Sequence, residues 1–599
     1  MASKTIPLRS EVADGDKWDL SALYPDETAW EEDLKAFQEM IPVIDTFKGT
    51  LSESAEKLKL CLDFMVELEM KGERLAYYAH LRVSEDEGSS DAQGRFGRYM
   101  GAASQANAAA SYQTPEIQAI PEKTMKELIA SPLLAEHRIS LEKLLRFKPH
   151  VLSEPEERLL ALQAEANQTA DKAFSALTNV DMEFGTIETA DGEIPLTQST
   201  FSLLMIDPDR SVREKAYRQF YQGFEQHKNT LASLYAGSIH LDVYKSRIRN
   251  YPSARAKALF PDKVPEEVYD NLLGSVGANL PKLHRYYDLR RRILGLDRLA
   301  HWDVYTPLVA DIKVHHSYEE AVEVIDAALE PLGDEYRRVL KEGLLGRWVD
   351  RYENRGKRSG AFSAGSYNGE PYILMNYKPE VLRNLFTLAH EGGHSMHSFY
   401  SVKNNSFQNY DYTIFEAEVA STFNEQLVAQ YLMDRADSDA MKAYLLGKQV
   451  DDIIATVFRQ TMFAEFEHLC HKQVEEGSPL TVDSFRSIYR DLLNKYFGDA
   501  VELPPEADLE GLRIPHFYRA FYVYKYATGL SAAVTLAEKV LTGGPEARDA
   551  YLAFLKSGGS RYPLESLALA GVDMSRPEPV NKALARFDAM VSDLEKLLL

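Results

Sequence analysis

GAFSAGSYNGEPYILMNYKPEVLRNLFTLAHEGGHSMH, residues 360 to 397, changes its period once along its length, and that change decides how the chain is read. Up to Tyr377, aromatic and apolar residues flank Asn368-Gly369, the dipeptide favoured in two-residue turns, so the pattern predicts a β-hairpin. Pro371 cannot donate to a ladder and suits an edge strand. From Pro379 onward Leu382, Leu385, Phe386 and Ala389 recur at helical spacing and lead into His390. The expected unit is a helix over about 379–397 with a small hairpin just before it.

Within that helix His390-Glu391-Gly392-Gly393-His394 forms an HExxH pattern. Residues four apart share a helix face, so two imidazoles can converge on one tetrahedral ion, as zinc prefers. Glu391, next to the first ligand, is placed to act on water as a general base. Two glycines in mid-helix each cost roughly 1 kcal/mol against alanine, which signals close packing or function. A hydrolytic site for one Zn²⁺ needs a third protein ligand, and YTIFEAEVASTFNEQL offers Glu416, Glu418 and Glu425. Glu418, Ser421, Thr422 and Glu425 fall on one helical face, which makes Glu418 the expected ligand and Glu425 a partner for an imidazole N–H. A metzincin is excluded, because His397 and Tyr400 stand where that class needs a glycine and a third histidine.

Outward from this centre the chain reads as helix: Leu58, Leu62, Met65, Leu68 and Leu75 mark a long amphipathic run in the N-terminal part. Asp191-Gly192, among β-branched residues, predicts a second small hairpin, and a domain boundary is expected near residue 195, giving 1–195 and 196–599. The fold class is therefore all-α, or α with a small sheet beside one helix. The charged stretch from Asp350 to Lys357 reads as a solvated connection. Ser317 with Glu320 reads as a capping box rather than part of a metal site at His315-His316, and His468, Cys470 and His471 as ordinary helical residues.

The 599 residues carry 68 basic against 91 acidic side chains, a formal charge of −23, which speaks against a nucleic-acid or anionic-membrane partner. Cys61 and Cys470 have no CxxC partner, and no stretch reaches the roughly 18 apolar residues of a membrane span. A cytoplasmic location is expected.

Near the end, RIPHFYRAFYVYKYATG gathers His516, Tyr518, Tyr522, Tyr524 and Tyr526 within eleven positions. Taken with AHEGGHSMH, EAEVASTFNE and the 360–377 segment, these motifs resemble the thimet-oligopeptidase family, in particular its oligoendopeptidase F branch. The resemblance covers about residues 200 to 580 and implies two largely helical halves enclosing a deep channel with zinc on its floor. It implies His390, His394 and Glu418 as ligands and Glu391 as catalytic base. It further implies that a hairpin strand binds the substrate in extended form, around Gly360, Ala361 and Phe362 or along Tyr372 to Tyr377. His516 and a tyrosine, matched to Tyr524, become the oxyanion donors. Phe517-Tyr518-Arg519-Ala520 replaces the family's glycine-rich loop, so Tyr518 and Tyr522 stay as alternative substrate contacts.

The expected activity is zinc-dependent cleavage of internal bonds in short unstructured oligopeptides. A zinc aminopeptidase would need an amine-capture motif, which the sequence does not display. A non-catalytic helical peptide-binding protein would have no need for the complete set of His390, Glu391, His394 and Glu418.

Overall fold

A computed structural model describes residues 6–309, 312 and 314–599, and most of them are helical. The chain divides into two compact units: Met1–Pro149, Lys313–Leu432 and Leu536–Val572 form the first, and His150–Ile312, Met433–Thr535 and Asp573–Leu599 the second. The boundary expected near residue 195 lies inside the second unit, where a short hairpin ends. Local signals mostly act as read. Ser54 caps the 31-residue helix Ala55–Glu85, and Ser317 with Glu320 forms a capping box on Tyr318–Ala328.

Seven short strands occur among the described residues: β1 (Thr186–Thr189), β2 (Gly192–Pro195), β3 (Leu299–Ala300), β4 (Val349–Asp350), β5 (Phe362–Gly365), β6 (Pro371–Leu374) and β7 (Val501–Glu502). In the second unit β1 and β2 make the hairpin expected around Asp191-Gly192, and β3 pairs with β7 in parallel. The three-stranded sheet of the first unit runs β4-β6-β5, with β4 parallel and β5 antiparallel to β6.

That order corrects two expectations about the 360–377 segment. Pro371 is not on an edge strand: β6 is central, and the proline is tolerated as its first residue, beyond the reach of β4. Asn368-Gly369 is not a two-residue turn either, since the strands end at Gly365 and resume at Pro371, and neither residue has a positive φ. Tertiary contacts shape this loop instead. The Tyr367 N–H donates to Glu73 Oε1 at 2.7 Å, and Gly369 closes on Leu23, whose Cδ2 would lie 2.7 Å from a Cβ there.

The charged connection before the hairpin is solvated only in part: Glu353 and Arg355 are exposed, whereas Asp350, Arg351 and Asn354 are buried. Asp350 is 1% exposed and ion-pairs with the buried Lys357 at 2.7 Å. The Lys357 ammonium also donates to the carbonyls of Asp350, Tyr352 and Met375 at 3.1, 2.6 and 2.6 Å, so its hydrogen-bonding capacity is satisfied within the protein. Such a pair persists in low dielectric because both charges are compensated, and here it ties the strand β4 to the chain leaving β6.

The HExxH helix spans Leu382–Asn404, starting three residues later and ending seven later than the sequence suggested. It packs on the acidic helix Ile414–Arg435, and the two mid-helix glycines are what set the approach. A Cβ at Gly393 would lie 2.5 Å from the Ala420 carbonyl oxygen and 2.6 Å from Ser421 Cα. At Gly392 it would meet only the end of the Leu340 side chain, at 3.1 Å. Gly393→Ala is therefore expected to destabilise the protein by about 1–3 kcal/mol through overpacking against backbone. Gly392→Ala should stay within about 1 kcal/mol of wild type, helix propensity offsetting a small displacement of Leu340. Urea unfolding of both variants checks this, and equal losses would contradict the packing argument.

Candidate metal centre

Close approach of the two helices brings four functional side chains together. His390, His394 and Glu418 each offer one ligand atom, and all three atoms lie within 4.8 Å of one another. Glu418 Oε2 stands 3.5 Å from His390 Nε2 and 3.9 Å from His394 Nε2. His390 Nδ1 meets Glu425 Oε1 at 2.6 Å, which assigns the proton to Nδ1 and leaves the Nε2 lone pair for an ion. Register is fixed by Asn424, whose amide donates to the Ala389 carbonyl at 3.2 Å while its oxygen accepts from the Tyr336 hydroxyl at 3.1 Å. Two imidazoles and a carboxylate, with an imidazole braced from behind, are a donor set that fits a divalent zinc-like cation.

The structure thus separates the three candidate carboxylates of the acidic helix. Glu416 is fully buried and turns towards Thr413 and Ser566, away from the metal group; burial raises its pKa to about 7. Glu418 joins the ligand group, and Glu425 braces His390.

Electrostatics divide the site unevenly. His390 is pushed up to about 9: burial works against the charge, but the Glu425 hydrogen bond and the carboxylates of Glu425, Glu391 and Glu418 outweigh it. His394 is held at about 3 by burial and by the neighbouring His390 charge. Glu391 is raised to about 7, chiefly by burial, with His390 opposing and Glu418 and Glu425 adding to the rise. A carboxylate near neutrality can both accept and return a proton at working pH.

β5 runs alongside the HExxH helix. Ser363 Oγ lies 2.9 Å from Ser395 Oγ, and a Cβ on Gly365 would fall 2.3 Å from Ser398 Oγ. β5 is an edge strand of the sheet, whereas β6 has a neighbour on each side. A cavity of about 460 Å³ opens here, walled by Ala361 to Gly365, by the metal group and Glu391, and by Tyr410 to Tyr412. Gly360, with φ of 85°, lies just before the strand and accepts from Asn376 Nδ2 at 2.9 Å. Ser395, Ser398, Asp411 and Tyr412 were missed from sequence, although Asp411 stands only seven positions before Glu418. His397 is buried and stacks on Tyr412, ring centroids 3.6 Å apart, with neither ring nitrogen hydrogen-bonded among the described residues.

The remaining candidates belong to the second unit. His516 is exposed and clusters with Tyr522 and Tyr526, the two tyrosine rings 5.4 Å apart. Tyr518 packs on Phe174 at 4.6 Å. Tyr524, at the start of helix Tyr524–Ser557, is fully buried, its ring 5.3 Å from that of Tyr269. Burial, and then the Arg519 charge, lower the His516 pKa.

Known peptidases resemble the chain over nearly its whole length. The description of peptidase family M3 matches residues 203–586, and that of oligopeptidase F matches residues 116–184. Oligopeptidase PepF of Bacillus subtilis is 43% identical over 99% of this chain and 89% of its own. An oligoendopeptidase F homolog of Borreliella burgdorferi is 41% identical over 98% of this chain and 99% of its own. The crystal structure of oligoendopeptidase-F from Enterococcus faecium superposes with a TM-score of 0.75 at 34% identity, covering 95% of this chain and 99% of that one.

Removing the brace behind His390 tests the metal group directly. Glu425→Gln is expected to weaken zinc affinity by about 10–100-fold, whereas Glu416→Gln should leave it unchanged. Chelator competition with the purified variants measures both, and equal affinities for wild type and Glu425→Gln would contradict the assignment.

Proposed function

We propose that this chain, which belongs to peptidase family M3 and is an oligopeptide-cleaving metallo-endopeptidase, works with one zinc ion held by His390, His394 and Glu418 and with Glu391 as its general base. The observation that carries the reading is the convergence of three ligand atoms within 4.8 Å of one another, with Glu391 in the wall of the same cavity. Zinc held there supplies a Lewis acid that polarises a peptide carbonyl and lowers the pKa of water. Glu391 takes the proton of the attacking water and delivers it to the leaving amine, a double duty suited to its pKa of about 7. Glu425 keeps His390 in the tautomer whose Nε2 faces inward.

β5 is an edge strand that lines the cavity, and an extended peptide can add beside it as a further strand. Only chain without secondary structure of its own can pair in this way, which favours short unstructured peptides over folded proteins. Ala361 and Phe362 border the cavity at the start of that edge. For the oxyanion, His516 and Tyr524 remain the candidates on donor chemistry and resemblance, with Tyr518 and Tyr522 as alternatives. No helix among the described residues is long and apolar enough to cross a membrane, and Cys61 and Cys470 are free and buried. Unbridged thiols accord with a reducing compartment, so we assign the chain to the cytoplasm.

Internally quenched peptides blocked at both ends, combined with metal analysis, test the whole reading. Wild type should contain one zinc per chain and cleave an internal bond. Glu391→Gln should retain its zinc yet lose about 10²–10⁴-fold in kcat/KM. Cleavage restricted to peptides with a free amine, or full activity in Glu391→Gln, would overturn it.

A further inference from the structure

We propose that Asp411 is a specificity determinant: it forms the subsite for a cationic group of the substrate, on the amino side of the bond to be cut. The inference rests on the reading that β5 receives the peptide, and it begins from a carboxylate for which the catalytic chemistry has no use. Among the side chains that wall the cavity, Glu418 joins the metal group, Glu391 serves as base, and no lysine or arginine is present. Asp411 is the one acidic group left over. Its side chain is exposed, and among the described residues it has neither an ion-pair nor a hydrogen-bond partner. One cation, Lys143, acts on it electrostatically; its ammonium donates to the Gly559 carbonyl at 2.5 Å and lies over the Tyr562 ring.

The backbone that carries Asp411 is held on three sides. The Tyr410 hydroxyl donates to Glu73, whose other oxygen accepts from the Tyr367 N–H, and the Tyr412 hydroxyl bonds Ser398 Oγ at 2.9 Å. On the third side Gly558 and Gly559 permit a backbone approach that no side chain would allow; a Cβ at Gly559 would fall 2.0 Å from the Asp411 carbonyl oxygen. The Asp411 backbone is therefore fixed between two anchored tyrosines, with Tyr77 also in the wall. A carboxylate in a cavity wall that also carries Tyr77, Tyr410 and Tyr412 suits an ammonium or guanidinium group.

Position follows from the strand. Ser363 is bonded to Ser395, one turn beyond Glu391, whereas Gly365 abuts Ser398 and hence Tyr412. Moving from Ser363 to Gly365 thus leads from the reaction centre towards Asp411, about 7 Å at the rise of a strand. A peptide added antiparallel to β5 runs the opposite way, so its residues before the scissile bond lie at the Gly365 end. The group that meets Asp411 is a lysine or arginine side chain two or three residues upstream, or the α-ammonium of a peptide that begins there.

Doubly blocked quenched peptides that differ only by Lys, Gln or Glu at those upstream positions test the proposal. Wild type is expected to favour Lys over Gln, and Gln over Glu, by about tenfold per step in kcat/KM, narrowing as salt is raised. Asp411→Asn should bring the Lys-to-Gln ratio to within about twofold, and Asp411→Lys should reverse the order. Thermal melts of both variants report folding, and Asp411→Asn alone decides the matter if the lysine variant does not fold. Equal rates for Lys and Gln in wild type, a preference confined to downstream positions, or a ratio unaltered in Asp411→Asn would overturn the subsite while leaving endopeptidase activity standing. Failure to cleave any of the peptides would overturn that activity and the subsite together.

Discussion

Contact between two helices at Gly393 is the constraint on which the first unit's chemistry depends. With no side chain at that position, the Ala420 carbonyl and Ser421 Cα reach the surface of the HExxH helix. Glu418 and Glu425 flank this contact on the partner helix, one before it and one after. Their carboxylates consequently arrive on opposite nitrogens of His390, 3.5 Å from Nε2 and 2.6 Å from Nδ1. A larger residue at 393 would separate the backbones and carry both carboxylates outward at once. The Asn424 amide, bonded to the Ala389 carbonyl, prevents the helices from sliding instead of separating. Position 393 therefore does for the whole site, through backbone packing, what the Glu425 hydrogen bond does for His390.

The hairpin needs a different device, because a two-residue strand and two four-residue strands bury too little to hold themselves. β6 gains its place by being central and fully buried, and the Asp350–Lys357 pair closes the sheet from behind with charge-assisted bonds to three carbonyls. β5 is then supported from one side by β6 and from below by Ser395 and Ser398, and it lines the cavity beside the metal group. An exposed edge is ordinarily a hazard that proteins cover or charge. Keeping one open beside a metal group is consistent with an edge that is used.

Legibility in the sequence followed the range of the interactions. HExxH and the Glu418-to-Glu425 face were readable because an α-helix converts spacing into direction, and both helices supply their ligands locally. The existence of the hairpin was readable from its composition for the same reason. Its turn was not, because Glu73, almost 300 residues before Tyr367, overrides the local preference of Asn368-Gly369. Edge and centre were exchanged because β4 is two residues long and leaves no periodic trace. The charged stretch misled because a lysine bound to three carbonyls looks, in sequence, like any solvated lysine. Asp411 escaped because its fixed position is produced by Gly558-Gly559, far along the chain, and no local pattern announces that approach.

The charge balance of the centre adds a last step. Two imidazoles one helical turn apart titrate in opposite directions, His390 up to about 9 and His394 down to about 3. Burial lowers both; three carboxylates raise His390, whereas His394 is lowered further by its histidine neighbours His390 and His397 and no carboxylate is credited with raising it. Without an ion, a proton on His390 is the positive charge that those carboxylates gather around. A divalent cation at the same Nε2 atoms would take over that neutralising role, and with more charge. Binding it requires the ligating nitrogens to be unprotonated, so a site with this balance exchanges a proton for the ion rather than assembling anew. Burial is the main reason that Glu391 titrates at about 7; Glu418 and Glu425 add to the rise and His390 opposes it, so the carboxylates that favour a cation also bear on the base.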